Sequence, residues 1–229
     1  MELQAQAVTR QYFRQGKGTN VFTAVQKTDI TLQAGTLTEI AGRSGSGKST
    51  LLNMLAGLLE PTEGKVLLDE KDLYALSDEE RAGIRNRQMG IVPQGQTALR
   101  ALTVQENILL PAKLYQKSTV RAENMDEEKR ARELMERVHI AHLKDVYPDE
   151  LSGGERRRLA IARALIMQPG VLFADEPTAD LDDENTKEVL QLLRNCADEG
   201  MAVLLVTHET EAAAYADRVL EMKEGVLTP

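Results

Sequence analysis

The chain of 229 residues holds one cysteine, Cys196, and no tryptophan. A single thiol excludes an internal disulfide framework and most cysteine metal sites. Aromatic residues reach only 3%, too few for the stacking platforms that bind single-stranded nucleic acid. Of the three histidines, His139 and His142 lack ligand-like companions and read as structural. No run of about 18 apolar residues is present to span a bilayer, so a membrane role has to pass through a partner. Residues 1–6 lack the basic segment and apolar stretch of a secretory signal, and residence in the cytoplasm is expected. Positive charge is also short: 28 Lys and Arg stand against 36 Asp and Glu, a net charge of −8. A duplex binder needs the opposite balance, and no nucleic-acid partner is expected.

What is present suits one sizeable α/β domain. Residues 3–8, 22–32 and 37–41 alternate with turns and read as β structure, antiparallel at the N-terminus, around a polar loop at 15–20. Residues 48–59 are apolar enough for a buried helix ended by Pro61 and Gly64. Residues 66–68 and 89–92 read as strands, with a short helix opening at 77–81 between them. From Gln94 the pattern turns mainly helical, including a densely charged, solvated stretch at 124–143. An inserted helical subdomain is therefore expected at about 94–164, in a core made of 1–93 and 165–229. Residues 171–174 and 201–206 are continuous apolar runs, as in parallel strands covered on both faces. Cys196 sits in the helical-looking stretch 186–198 and reads as packing. A strand pair around Gly225 ends the sequence.

Two polar pairs stand at the ends of those apolar runs, Asp175-Glu176 and Thr207-His208, where open parallel sheets place their ligands. The third element is the run Gly42-Arg43-Ser44-Gly45-Ser46-Gly47-Lys48-Ser49-Thr50 between strand 37–41 and the helix at 48. Gly42, Gly45 and Gly47 let backbone N–H groups approach a phosphate, and the helix adds its positive end. This is the phosphate loop of a P-loop NTPase core. Lys48 is expected on the β- and γ-phosphates, Ser49 on Mg2+, and Thr50 near the α-phosphate. Asp175 is placed to hold Mg2+ through water and Glu176 to orient or deprotonate the attacking water.

About a hundred residues later comes Leu151-Ser152-Gly153-Gly154-Glu155, opening a helix expected to begin near Glu155. With the phosphate loop, it makes the chain resemble the ATP-binding subunits of ABC transporters over nearly its whole length. The resemblance implies ATP and Mg2+ as cofactors and a head-to-tail pair of copies, each ATP held between one copy's phosphate loop, with Ser44 and Ser46 among its contacts, and the other's Ser152, Gly153 and Gly154. It implies that Gln94 senses Mg2+ and the attacking water, that His208 contacts the γ-phosphate, and that Asp182 links the two sites. An aromatic ahead of the loop would stack on adenine; Tyr12 fits best by position, with Phe22 its competitor. The basic run at 156–158 then reads as a helix face beside nucleotide.

The stretches 27–32 and 106–111 further resemble the group that includes macrolide-exporter, lipoprotein-release and antimicrobial-peptide-resistance ATPases. Such a subunit drives an integral membrane permease from the cytoplasmic face. An importer ATPase for a small solute and a cell-division regulator acting through a membrane partner share these motifs and stay open. Three departures from the family pattern are Glu39 in a usually apolar strand, which implies either a buried acidic group or an irregular sheet, Pro93 before Gln94, and Glu155 where glutamine is commoner.

Overall fold

The computed structural model describes residues 1–14, 20–95, 97–114 and 126–229. Most of the polar loop at 15–20 and the first two residues of the charged stretch at 124–143 lie outside that set. Among the described residues, ten strands form two sheets. The first is antiparallel in the order β2-β1-β4-β5, from β1 (Glu2–Arg14), β2 (Asn20–Gln33), β4 (Glu63–Leu68) and β5 (Lys71–Asp72). The second, of order β10-β9-β3-β8-β7-β6, joins β3 (Leu37–Ala41), β6 (Met89–Val92), β7 (Val171–Asp175), β8 (Ala202–Thr207), β9 (Arg218–Lys223) and β10 (Val226–Thr228). All its pairings are parallel except the terminal hairpin of β9 and β10.

The apolar runs of β7 and β8 have two faces because both are buried. Val171, Phe173, Ala202, Leu204 and Val206 pack toward the first sheet and α1 (Lys48–Leu55). Leu172, Ala174, Val203 and Leu205 pack toward the helical side. That second core continues without a break into α3 (Val104–Leu114), α4 (Glu127–Arg137), α5 (Gly153–Leu165) and α6 (Asp183–Asp198). Helix α2 (Asp78–Gln88) starts from a Ser77 cap in which serine and Glu80 bond each other's backbone.

Two helix limits differ from the sequence expectation. Helix α1 stops at Leu55 instead of near Leu59 because Gly57, at φ +68°, turns the chain left-handed. The Tyr74 hydroxyl lies 2.7 Å from the Met54 carbonyl and 2.6 Å from that of Leu59, fastening this turn. Helix α5 starts at Gly153, two residues before Glu155, because Ser152 is its cap. Cys196 is buried on α6, and burial pushes its thiol up to about 11, which leaves it unreactive.

Glu39 is buried, 1% exposed, in a regular strand: β3 keeps unbroken register with β8 from Leu37 to Ala41. Its Oε2 has no hydrogen-bond partner, and burial raises its carboxyl above the ordinary value of 4.5. The folded state therefore holds this proton more tightly than the unfolded one, and stability is lost as pH rises from that ordinary value through the raised one. Glu39→Leu is expected to stabilise the protein by about 1–3 kcal/mol at pH 8, and by much less at pH 4.5. Denaturant melts at the two pH values check this; a gap that does not widen with pH contradicts it.

Candidate functional site

Strand pairing aligns three strand ends. Ala41 of β3 pairs with Thr207 of β8, and Val206 of β8 pairs with Asp175 of β7. Parallel strands in this register release their following loops at one level of one edge. The loop after β3 carries Lys48, the loop after β7 carries Glu176, and the loop after β8 carries His208.

The phosphate loop is shaped by its glycines at two close approaches. A Cβ on Gly42 would lie 2.3 Å from the Met222 carbonyl oxygen, and one on Gly47 would lie 2.3 Å from that of Ala24. Gly47 also adopts φ +111°, which a larger residue tolerates poorly. Strand β2 and the β9 end thus press directly on the loop. Gly45 has open space around its missing side chain and Ser44 is exposed, so this part of the loop faces outward. Ser46 is buried and its Oγ has no partner within the protein. Thr50 follows Ser49 in the first turn of α1, half-buried.

Lys48 is 5% exposed, and its ammonium donates to the carbonyls of Gly42 at 2.7 Å and Arg43 at 3.1 Å. It also stands 3.4 Å from Glu176 Oε1. The other oxygen of Glu176 lies 2.8 Å from His208 Nδ1 and accepts from the Thr207 hydroxyl at 3.4 Å. One buried carboxylate therefore joins the cation of the phosphate loop to the histidine after β8. Its backbone sits at φ +46°, held by a 2.9 Å bond from its N–H to the Val206 carbonyl. For a residue with a side chain this conformation costs about 1–3 kcal/mol, a strain found at functional positions.

Next to it, Ser49 Oγ donates to Asp175 Oδ1 at 2.9 Å. Burial raises the Asp175 carboxyl, and the Glu176 charge adds to this; the Ser49 bond and the Lys48 and Arg157 cations pull the other way. An oxygen-rich pair of this kind, a hydroxyl and a carboxylate, suits a hard divalent cation.

The remaining sequence candidates stand on other elements. Gln94 follows β6, which pairs with β7 through Val92 and Ala174, and is exposed. Tyr12 and Phe22 are direct cross-strand partners on β1 and β2, so both aromatic candidates belong to one surface. Phe22 is two residues from Ala24, the strand position that touches Gly47, roughly 7 Å along a strand. The Arg10 guanidinium lies 4.8 Å above the Tyr12 ring. Ser152 caps α5 through a 3.3 Å bond from Glu155 N–H, while Glu155 accepts from Ser152 N–H at 2.7 Å and is held below the usual carboxylate range by it. Asp182 caps α6, accepting from the Asn185 N–H at 2.8 Å.

Several residues at the site escaped the sequence reading. Thr178 donates to Glu209, whose own N–H donates to Thr207 at 3.1 Å, so the loops after β7 and β8 are tied a second time. The basic run is not one face. Arg156 turns back to the Leu151 carbonyl, whereas Arg157 is 8% exposed and donates to the Pro93 carbonyl at 3.2 Å; burial lowers its guanidinium from the ordinary value, against the opposing pull of Asp180, Asp175 and Glu209. Arg163 grips Thr97 at its carbonyl and hydroxyl, 2.8 and 2.6 Å away. Helix α5 thereby holds both sides of the Gln94 loop. The signal available in sequence was a charged residue inside an otherwise apolar helix face, which only the fold assigns to a partner.

The ABC transporter family model matches residues 25–179. The chain belongs to that family. It is 42% identical over 226 residues to the lipoprotein-releasing system ATP-binding protein LolD of Shewanella sp. (strain MR-4), covering 98% of this chain and 94% of the relative. It is 40% identical over 204 residues to the macrolide export ATP-binding/permease protein MacB of Chlorobaculum tepidum, covering 89% of this chain and 30% of that longer protein. Among solved structures it superposes on a dimeric ATP-binding cassette, MJ0796, bound to ADP and Pi, with a TM-score of 0.86 and 33% identity over 97% of this chain and 95% of that one. This ABC chain is thus an ATP-binding ATPase subunit with an α/β phosphate-loop fold.

Gly47→Ala is expected to destabilise the fold by about 1–3 kcal/mol through its left-handed backbone, and to weaken ATP binding by moving the loop off Ala24. Thermal melts and nucleotide titration of the variant check both. An unchanged melting temperature with unchanged affinity contradicts the close-packed loop.

Proposed function

We propose that this ABC ATPase works as a head-to-tail pair of copies that encloses two ATP molecules with Mg2+ and drives a separate membrane permease of the exporter or force-transmitting type. The observation that carries the reading is the single corner in which Glu176 stands against both Lys48 and His208 while Ser49 bonds Asp175. In it, Lys48 would hold the β- and γ-phosphates, and the loop amides from Ser44 to Thr50 would cradle the phosphate chain. Ser49, Asp175 and Gln94 would hold Mg2+, which supplies charge neutralisation for phosphoryl transfer. Glu176 then orients the attacking water and accepts its proton, and His208 fixes Glu176 while reaching the terminal phosphate. Tyr12, beside Phe22, provides the surface for adenine.

The other copy's Ser152, Gly153 and Gly154 would approach the same terminal phosphate, where the positive end of α5 favours it. Asp182 lies beside that helix and connects the two sites. Loss of phosphate charge after hydrolysis reopens the pair, and the helical part at 94–164 passes the motion to the permease. No helix among the described residues is long and apolar enough to cross a membrane. The permease supplies the span, and the chain sits peripherally on the cytoplasmic face.

Glu176→Gln is expected to keep ATP affinity and form a stable Mg-ATP dimer while kcat falls about 10²–10³-fold, the usual cost of removing one preorganised group. Lys48→Ala loses nucleotide binding itself. Light scattering and steady-state hydrolysis test this; Glu176→Gln that stays monomeric in saturating Mg-ATP contradicts the paired mechanism.

A further inference from the structure

Asn185 lies in the first turn of α6 and takes no part in the chemistry described above, yet it joins two separate pieces of the site. Its side-chain amide donates to both oxygens of Asp182, at 3.0 and 2.8 Å, and its backbone N–H donates to the same carboxylate. Its amide oxygen accepts from Arg158 on α5 at 2.9 Å. All of its strong hydrogen-bonding groups are thus committed between two elements.

The contact with α5 is also steric. A Cβ on Gly154 would lie 2.2 Å from the Asn185 side-chain oxygen and 2.7 Å from its Cγ. Gly154 is buried in this contact, so the asparagine occupies the space that a side chain at 154 would need. Arg158 is fixed in turn by Glu188 at 2.7 Å, one turn further along α6. The Asp182 carboxylate is held below its usual range chiefly by its bonds to Asn185, which keeps it an acceptor for this asparagine over the working pH range.

We propose that Asn185 is a positioning residue that locks the Ser152–Gly154 end of α5 to the Asp182 loop, so that the surface offered to the second copy moves as one rigid piece. The proposal rests on the head-to-tail reading above. Each copy's own phosphate loop runs from β3 into α1 and packs on β2 and β9, so it does not depend on this lock. Asn185 should therefore govern pairing and turnover and leave nucleotide affinity of the single copy intact. A purely structural asparagine would show no such division.

The test uses Asn185→Leu, which keeps the branched side-chain skeleton and removes every side-chain polar group, with Asn185→Ala as a second variant that adds no bulk and favours the helix. Each is made alone and on Glu176→Gln. ATP affinity of the single copy is expected within twofold of the parent, kcat at least tenfold lower, and the dissociation constant of the Mg-ATP dimer on Glu176→Gln at least tenfold higher. Gln191→Leu, further along α6, leaves all three unchanged. If both folded Asn185 variants pair and turn over within twofold of the parent, the proposal is overturned. Loss of ATP affinity equal to the loss of pairing also overturns it, since the effect is then general. If Glu176→Gln by itself does not pair, the head-to-tail reading fails, and the proposed role falls with it.

Discussion

The contact between Lys48 and Glu176 is the interaction on which the rest of this molecule turns. An ammonium at 5% exposure is tolerated only where its charge is met, and here two carbonyls and one carboxylate meet it. Those groups come from segments more than a hundred residues apart. They meet because β3, β8 and β7 are neighbours with Ala41, Thr207, Val206 and Asp175 in one register. Sliding one strand by a residue would turn its buried side chains to the opposite face and carry its loop out of reach. The fully apolar strands therefore serve the site as much as the core.

Around that corner, α5 acts as a strut with three attachments. Its first turn carries Ser152, Gly153 and Gly154. Arg157 and Arg163 bind the backbone on either side of the Gln94 loop, and Arg158 reaches α6 through Asn185 and Glu188. Two of these attachments reach the segment after β6, and the third reaches α6. Movement of α5 thus cannot leave the Gln94 loop and the Asp182 loop unmoved while these bonds persist. These direct contacts join α5 to the Gln94 loop and to the start of α6.

Much of this was legible in sequence because the chemistry demands residues that few other roles explain. Three glycines before Lys48, an acidic pair ending an apolar strand, and Ser152-Gly153-Gly154 each signal backbone or charge requirements that persist outside any fold. The strands at 171–174 and 201–206 followed from continuous apolar runs, and those at 37–41 and 89–92 from short extended segments set off by turns and a charged helix start. Less legible were features set by distant partners. The end of α1 depends on Gly57 and on Tyr74, which is far away in the chain. Arg157 read as part of a helix face beside nucleotide because nothing local shows that the Pro93 carbonyl awaits it. Asn185 sits among Asp182, Asp183 and Glu184 and resembles any polar helix start; only its contact with Gly154 reveals its second attachment. The sequence left open whether Glu39 was buried, and the structure resolves this as an isolated carboxyl inside a regular sheet.

The central claim is that the site is completed by a second copy facing in the opposite direction. It is tested most directly by disulfide trapping between two variants, Ser44→Cys and Ser152→Cys, each carrying Cys196→Ala and Glu176→Gln, mixed in equal amounts. The account predicts a mixed disulfide dimer formed with Mg-ATP and absent with ADP, because the exposed phosphate loop of one copy then faces the α5 end of the other. Cross-links only between like variants, or none with Mg-ATP, would contradict it.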